Sequence, residues 1–222
     1  MNEYLFRQDI DFLKNHYSKL LERHGDSPEG VQWSDSQTQE RRMDILAQID
    51  NLSSAKILDF GCGTGKLLSF LQEKREFNGE YVGYDISSLM IDKAKKKFPR
   101  HRFECRDIFT DGVPEFFDYV LISGVFNNLV DRNWELMTAL LNLLFCHTKR
   151  GLAFNALSTY VDYCDTGLFY VNPEKIFRFC KETLSPCVTL RHDYLIRPNV
   201  VPFEFTIYVF QTELESRKNL EF

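Results

Sequence analysis

The sequence has no C-x-x-C pair: its six cysteines (Cys62, Cys105, Cys146, Cys164, Cys180 and Cys187) are scattered. That spacing supports neither a zinc site nor a disulfide scaffold, so no bound metal is expected. No apolar run approaches the roughly 20 residues needed to cross a bilayer. The stretch from Met1 to Asp9 lacks the basic-then-apolar order of a signal peptide. These absences lead to an expectation of a soluble, cytoplasmic protein with no membrane partner. Positive charge is not in excess either, with 27 Lys and Arg against 32 Asp and Glu and a net charge of −5. That balance argues against sequence-independent binding to nucleic acid, whose affinity rests on basic groups. There is no internal repeat and no low-complexity tract. With 44% hydrophobic and 27% charged residues the composition is globular. At 222 residues the chain suits one domain, or one domain plus a cap.

What the sequence does have is a glycine-rich stretch, Lys56-Ile57-Leu58-Asp59-Phe60-Gly61-Cys62-Gly63-Thr64-Gly65-Lys66. An apolar run ends in an acid, three glycines follow at alternate positions, and Leu67-Leu68-Ser69-Phe70-Leu71 opens a helical pattern. Strand, glycine turn and helix is how α/β folds bring a small molecule against bare backbone. A P-loop needs Gly, four residues, then Gly-Lys-Ser/Thr; here Phe60 stands at the first glycine and Leu67 at the hydroxyl. The dinucleotide pattern Gly-x-Gly-x-x-Gly fails in both registers, with Lys66 or Leu68 at the third glycine. An acid just before the loop is also a poor neighbour for a pyrophosphate. It is a better neighbour for a ligand with positive charge.

The remaining pattern, Asp-Phe-Gly-Cys-Gly-Thr-Gly, resembles the first motif of the class I S-adenosylmethionine (AdoMet)-dependent methyltransferases. The resemblance is specific over 56–157 and looser over 187–210. It implies a Rossmann-like α/β fold with a seven-stranded, mostly parallel sheet. The implied order is 3-2-1-4-5-7-6, the last strand antiparallel and helices on both faces. It implies AdoMet as cofactor and S-adenosylhomocysteine as product.

The chain in order agrees with that fold. Residues 1–24 read as a helix, and a second helix runs through Arg41, Arg42, Met43, Ile45, Leu46 and Ile49. Between them lies glycine and proline punctuation at 24–30. By resemblance, residues 1–50 form a helical lid. Strands are expected at 56–60, 80–85, 101–105, 119–122 and 151–157, with helices at 64–74, 88–98 and 132–147. Such alternation implies right-handed crossovers and a parallel sheet. A polar, tyrosine-rich insert follows at 158–172, and then a helix from Pro173. Strands at 187–194 and 203–210 complete a methyltransferase domain spanning 51–215, and 216–222 is a tail. The basic run Lys93 to Lys97 reads as the solvated face of a helix.

Asp85 ends the second strand, where a carboxylate can accept two hydrogen bonds from a ribose diol, or alternatively cap the next helix. The resemblance implies the following cofactor contacts. Asp59 lies by the methionine amino group, and Gly61, Cys62, Gly63 and Gly65 form the loop. Asp85 and Ile86 lie at the ribose, Asp107 and Ile108 at the adenine, and Ser123 and Gly124 run along the ligand. Arg42 is expected to grip the ligand carboxylate, for which a guanidinium fork is suited. Methyl transfer is an in-line displacement by an oxygen, nitrogen or carbon nucleophile, and it needs a base only where that nucleophile is protonated. Candidate acceptor-side residues are His24, Asn127, Asn128, Tyr160, Asp162, Tyr163, Asp165, Tyr170, His192, Asp193 and Tyr194. His192 and Tyr163 are singled out as catalytic candidates, His192 because histidine titrates near neutrality. The Asn-Pro-Pro-Tyr motif of amino-directed DNA and protein methyltransferases is missing, so the expected acceptor is a small molecule. A protein or RNA acceptor, a non-catalytic AdoMet-binding partner and, last, a nicotinamide dehydrogenase stay open at this point.

Overall fold

The computed structural model describes residues 5–25, 36–197 and 200–212. The expected tail and most of the glycine and proline punctuation after α1 lie outside the described residues. Eight strands form one sheet: β1 Ile57–Phe60, β2 Tyr81–Asp85, β3 Arg102–Cys105, β4 Phe117–Ile122, β5 Thr148–Ser158, β6 Tyr170–Val171, β7 Val188–Arg191 and β8 Glu204–Phe210. The path through it is β3-β2-β1-β4-β5-β8-β7. β1 to β5 pair in parallel, with Ile57 opposite both Tyr81 and Tyr119, and β8 inserts antiparallel between β5 and β7. This is the expected order with one extra element. The two-residue β6, inside what the sequence presents as an irregular insert, adds parallel to the end of β5. β5 makes that possible because it runs for 11 residues and overhangs its neighbours.

Side chains alternate across the strands, and both faces are covered, which is why β1 and β4 read as nearly unbroken apolar runs. On one face Leu58, Phe60, Val120, Ile122, Leu152 and Phe154 pack against α6 (Asn133–Phe145) and α7 (Pro173–Phe179). α1 (Arg7–His24) joins this side through Leu13. On the other face Ile57, Tyr81, Tyr119 and Leu121 meet α3 (Lys66–Lys74), α4 (Ser88–Lys97) and α2 (Ser36–Leu46). Each buried Leu, Ile or Phe there contributes roughly 1.5–3 kcal/mol. The short α5 (Ile108–Asp111) follows β3. Asn172 caps α7 by accepting the Lys175 N–H at 2.7 Å, ahead of Pro173, whose missing N–H costs nothing in a first turn. α7 then loosens into a wider turn over Cys180–Leu184. No helix among the described residues is long and apolar enough to cross a membrane.

The two N-terminal helices are tied down by specific bonds. On α2, Arg42 Nε donates to Glu204 Oε2 at 2.6 Å, and the Ile45 carbonyl accepts from Tyr208 Oη at 2.5 Å. On α1, Tyr17 Oη accepts from Asn128 Nδ2 at 2.6 Å, and Ser18 and Ser87 share a hydroxyl hydrogen bond at 3.1 Å. Asp9 Oδ1 accepts the Asp131 N–H at 3.2 Å. α1 is thereby laid across the carboxyl ends of the parallel strands.

Candidate cofactor cavity

β1 ends in a loop that only glycine can form. Gly61, Gly63 and Gly65 have φ of 78°, 52° and 82°, in the left-handed region that costs an L-residue roughly 1–2 kcal/mol. At Gly61 space forbids a side chain as well: a Cβ would stand 2.3 Å from Val125 Cγ2. The loop is pinned to β2, because the Tyr84 carbonyl accepts the N–H groups of Gly61 and Cys62 at 2.8 and 3.0 Å. The Asp85 carboxylate accepts the Gly63 N–H at 2.9 Å and the Ser87 N–H at 2.8 Å. Each Asp85 oxygen keeps a lone pair for a ligand. At the end of β4, Gly124 donates its N–H to the buried Asn155 Oδ1 at 2.8 Å, so β5 braces the facing wall.

These pieces enclose a cavity of about 150 Å³. Its floor is the glycine loop, its walls carry Asp59, Asp85 and Asp107, and its roof is Ile10, Leu13 and Tyr17 of α1 with Gln39 and Met43 of α2. Asp59 is buried and accepts a hydrogen bond from Tyr81 Oη at 2.5 Å. Burial pushes its carboxyl up to about 7, the Tyr81 bond opposes this, and the Asp85 charge adds to it. Asp85 is raised by burial too, against the pull of its backbone hydrogen bonds. Two carboxylates held uphill in one small space favour a cationic ligand, which would lower both. Cys62 sits between them and β2. Its Sγ fills the space a Cβ on Gly83 would need, and burial, then the charges of Asp85 and Asp59, hold its thiol well above the usual range. The donor set fits AdoMet: acids for sulfonium and ammonium, spare carboxylate lone pairs for a ribose, and apolar Ile86, Met90, Ile108 and Phe109 for a flat base.

Asp59, Gly61, Cys62, Gly63, Asp85, Ile86, Asp107, Ile108, Ser123 and Gly124 all line this one cavity. Gly65 does not line it; it starts α3, and Phe98 and Phe103 crowd the position a Cβ would take. Arg42 requires correction. Its side chain is buried against Glu204, with the guanidinium 5.8 Å from the centre of the Phe203 ring, and it does not line the cavity. Its ion pair fastens α2 to the sheet. His192 is also displaced from its expected place: its Nε2 meets the Pro202 carbonyl at 2.8 Å within the β7–β8 connection. Tyr163 is 78% exposed on the insert. Tyr160 donates to Glu174, and Tyr194 shares a hydrogen bond with Thr206 at 2.7 Å, so neither faces the cavity. Asp107 caps α5 by accepting the Phe109 N–H at 3.0 Å and lines the cavity as well. Tyr17 is the residue that sequence reasoning missed. In a helical pattern it is one more apolar-face aromatic, and only the fold shows it over Asp85, whose charge adds to burial in raising its phenol.

Comparison with known proteins decides what the cavity belongs to. Residues 58–148 match a family model described as a methyltransferase domain. Rv1506c of Mycobacterium tuberculosis, whose own name assigns it provisionally to the methyltransferases, is 35% identical over 159 residues, covering 69% of this chain and 91% of the relative. The chain belongs to the class I AdoMet-dependent methyltransferases. A ribosomal RNA small subunit methyltransferase C of Haemophilus influenzae is 27% identical over 111 residues, which cover 48% of this methyltransferase but 33% of that protein. In solved structures the fold matches magnesium protoporphyrin IX methyltransferase of Synechocystis with bound AdoMet. The TM-score is 0.65 over 92% of this chain and 97% of that one, at 14% identity. The methyltransferase is thus an enzyme whose cofactor is AdoMet, and the glycine loop and acids are the features of its cavity that suit it.

Proposed function

We propose that the enzyme methylates a small molecule at an oxygen, nitrogen or carbon nucleophile. The observation that carries this reading is the roof: α1 and α2 lie over the cavity with apolar side chains, and a bulky macromolecular acceptor would have to displace them. At about 150 Å³ the space is also below the ~300–1,000 Å³ of common ligand pockets, so α1 acts as a lid that shifts to admit the cofactor. When bound, AdoMet supplies an electrophilic methyl on a sulfonium. The chain's own residues bind and orient: Asp59 offers its carboxylate to the ammonium, Asp85 to the ribose hydroxyls, and Asn155 holds the Gly124 backbone along the ligand. Neither His192 nor Tyr163 is needed as a base in this reading. The likeness to a ribosomal RNA methyltransferase favours an RNA acceptor as second reading, against which stands the net charge of −5. Six free cysteines suit a reducing compartment, and the reading places the enzyme in the cytoplasm. Incubation with methyl-labelled AdoMet and source-cell extract tests it. Label is expected in small extract components; label in RNA or protein would overturn the reading.

A further inference from the structure

The turn of α1 that carries Tyr17 and Ser18 is pinned at two points, one beyond β2 and one beyond β4, the strands whose ends wall the cofactor cavity. Ser18 shares its hydroxyl hydrogen bond with Ser87, whose N–H donates to the Asp85 carboxylate at 2.8 Å. Tyr17 Oη accepts from Asn128 Nδ2 at 2.6 Å, in the turn that follows β4. That turn is itself clamped. Asn133 Nδ2 donates to the Asn128 carbonyl at 2.8 Å, and Asn133 Oδ1 accepts the Val130 N–H at 2.7 Å. Asn128 is 5% exposed, so its amide has little water to turn to. Tyr17 is thereby set in the roof, lining the same cavity as Asp85.

The bond to Asn128 decides what the Tyr17 hydroxyl has left to offer. A phenolic hydroxyl can accept and donate at once, whereas an amide nitrogen only donates. Tyr17 Oη is therefore the acceptor of that pair and keeps its own O–H for another partner. Among the described residues it donates to none. Burial first, then the Asp85 charge, hold the phenol above its ordinary range against the pull of the Asn128 bond, so it is a neutral donor at any working pH. Asp85 is in the opposite position: each of its oxygens holds one backbone N–H and keeps a lone pair. A spare donor and a spare acceptor line one cavity, and an alcohol, which takes one bond and gives another, would complete both.

Resting on the reading above, in which Asp85 takes the ribose of AdoMet, we propose that Tyr17 is a second ribose-positioning residue that completes a directed chain of hydrogen bonds. Asn128 Nδ2 donates to Tyr17, Tyr17 donates to one ribose hydroxyl oxygen, and that hydroxyl donates to Asp85. Each group is used in the direction its chemistry permits: an amide nitrogen begins the chain and a carboxylate ends it. Because Tyr17 rides on α1, the contact forms only with the lid in place, so closure and recognition of the sugar are one event.

Tyr17→Phe keeps the ring and removes the hydroxyl. By calorimetry it should weaken S-adenosylhomocysteine binding by roughly three- to tenfold, the worth of one neutral hydrogen bond. Adenosine, 2′-deoxyadenosine and 3′-deoxyadenosine then separate a sugar contact from loosened packing of the lid. Adenosine and one deoxynucleoside should lose that same factor in Tyr17→Phe. The other, already lacking the hydroxyl that Tyr17 reaches, should lose nothing. Asn128→Asp, of the same size, turns the pair round, because Tyr17 must then donate to a carboxylate; it should match the loss in Tyr17→Phe and add nothing when the two are combined. Unchanged affinity in Tyr17→Phe, an equal loss for all three nucleosides, or additive losses with Asn128→Asp would overturn the assignment. A wild type with no preference for adenosine over either deoxynucleoside would strike the ribose reading of Asp85 itself, and the role of Tyr17 with it.

Discussion

Asp59→Asn should make the enzyme more stable at alkaline pH and worse at holding AdoMet. In the unfolded chain this carboxyl ionises near its ordinary 3.8; in the folded protein burial raises that to about 7. Between those values the folded state keeps a proton that the unfolded state has released, so stability falls as pH rises through the window. A gap of about three pH units at 1.36 kcal/mol each sets an upper bound of about 4 kcal/mol, fully lost by about pH 8. Asparagine can still accept the Tyr81 hydroxyl, so the variant removes the charge and keeps the bond. Urea unfolding at pH 4 and pH 8 should show a gain of about 2–4 kcal/mol at pH 8 and close to none at pH 4. Some slope should persist, because Asp85 is raised in the same direction. Calorimetry should show AdoMet binding weakened by roughly tenfold or more, as for a lost charge-assisted contact. A variant no more stable than wild type at pH 8, or equally stabilised at both pH values, would refute the argument that the acid is held at the fold's expense.

Three further tests reach other parts of the site. Asp85→Ala should raise the AdoMet dissociation constant by roughly ten- to a hundredfold with an unchanged circular dichroism spectrum; unchanged affinity would remove Asp85 from the ribose. Gly61→Ala should cost about 1–2 kcal/mol from φ alone, plus the collision with Val125. Adding Val125→Ala should recover only the collision part, and denaturant midpoints that are simply additive would show that the two residues do not meet. Arg42→Met should lose about 3–5 kcal/mol by stranding Glu204, and Arg42→Met with Glu204→Gln should regain much of it. A single variant as stable as wild type would deny the pair its fastening role.

The loop was legible because its cause is local. Three glycines at alternate positions after an apolar run demand positive φ, and the structure has it at all three. Asp85 was legible from its distance along a regular strand–helix alternation. Arg42 was misplaced because its partner, Glu204, lies 162 residues away, and no local pattern tells a buried arginine from one facing a ligand. His192 failed for a similar reason: its ring nitrogen is engaged by the Pro202 carbonyl, which carries no side-chain signature. Tyr17 was hidden by its own regularity, since core packing and roofing a cavity impose the same helical spacing. β6 is too short for any alternation to mark it.

A sulfonium that gives up its methyl group is an alkylating agent, and the loop lining its cavity contains a sulfur of its own. Cys62 is the residue most exposed to that hazard by position, since thiolates are the reactive form of cysteine. Burial together with Asp85 and Asp59 keeps it a thiol. Burial does most of this, and the carboxylates that suit a cationic reagent add to it, so they help to quench a nucleophile that could consume it without turnover. Removing the acids should therefore cost the enzyme twice over. Alongside weaker binding, mass spectrometry of Asp85→Ala incubated with AdoMet should find slow methylation at Cys62 that the wild type escapes.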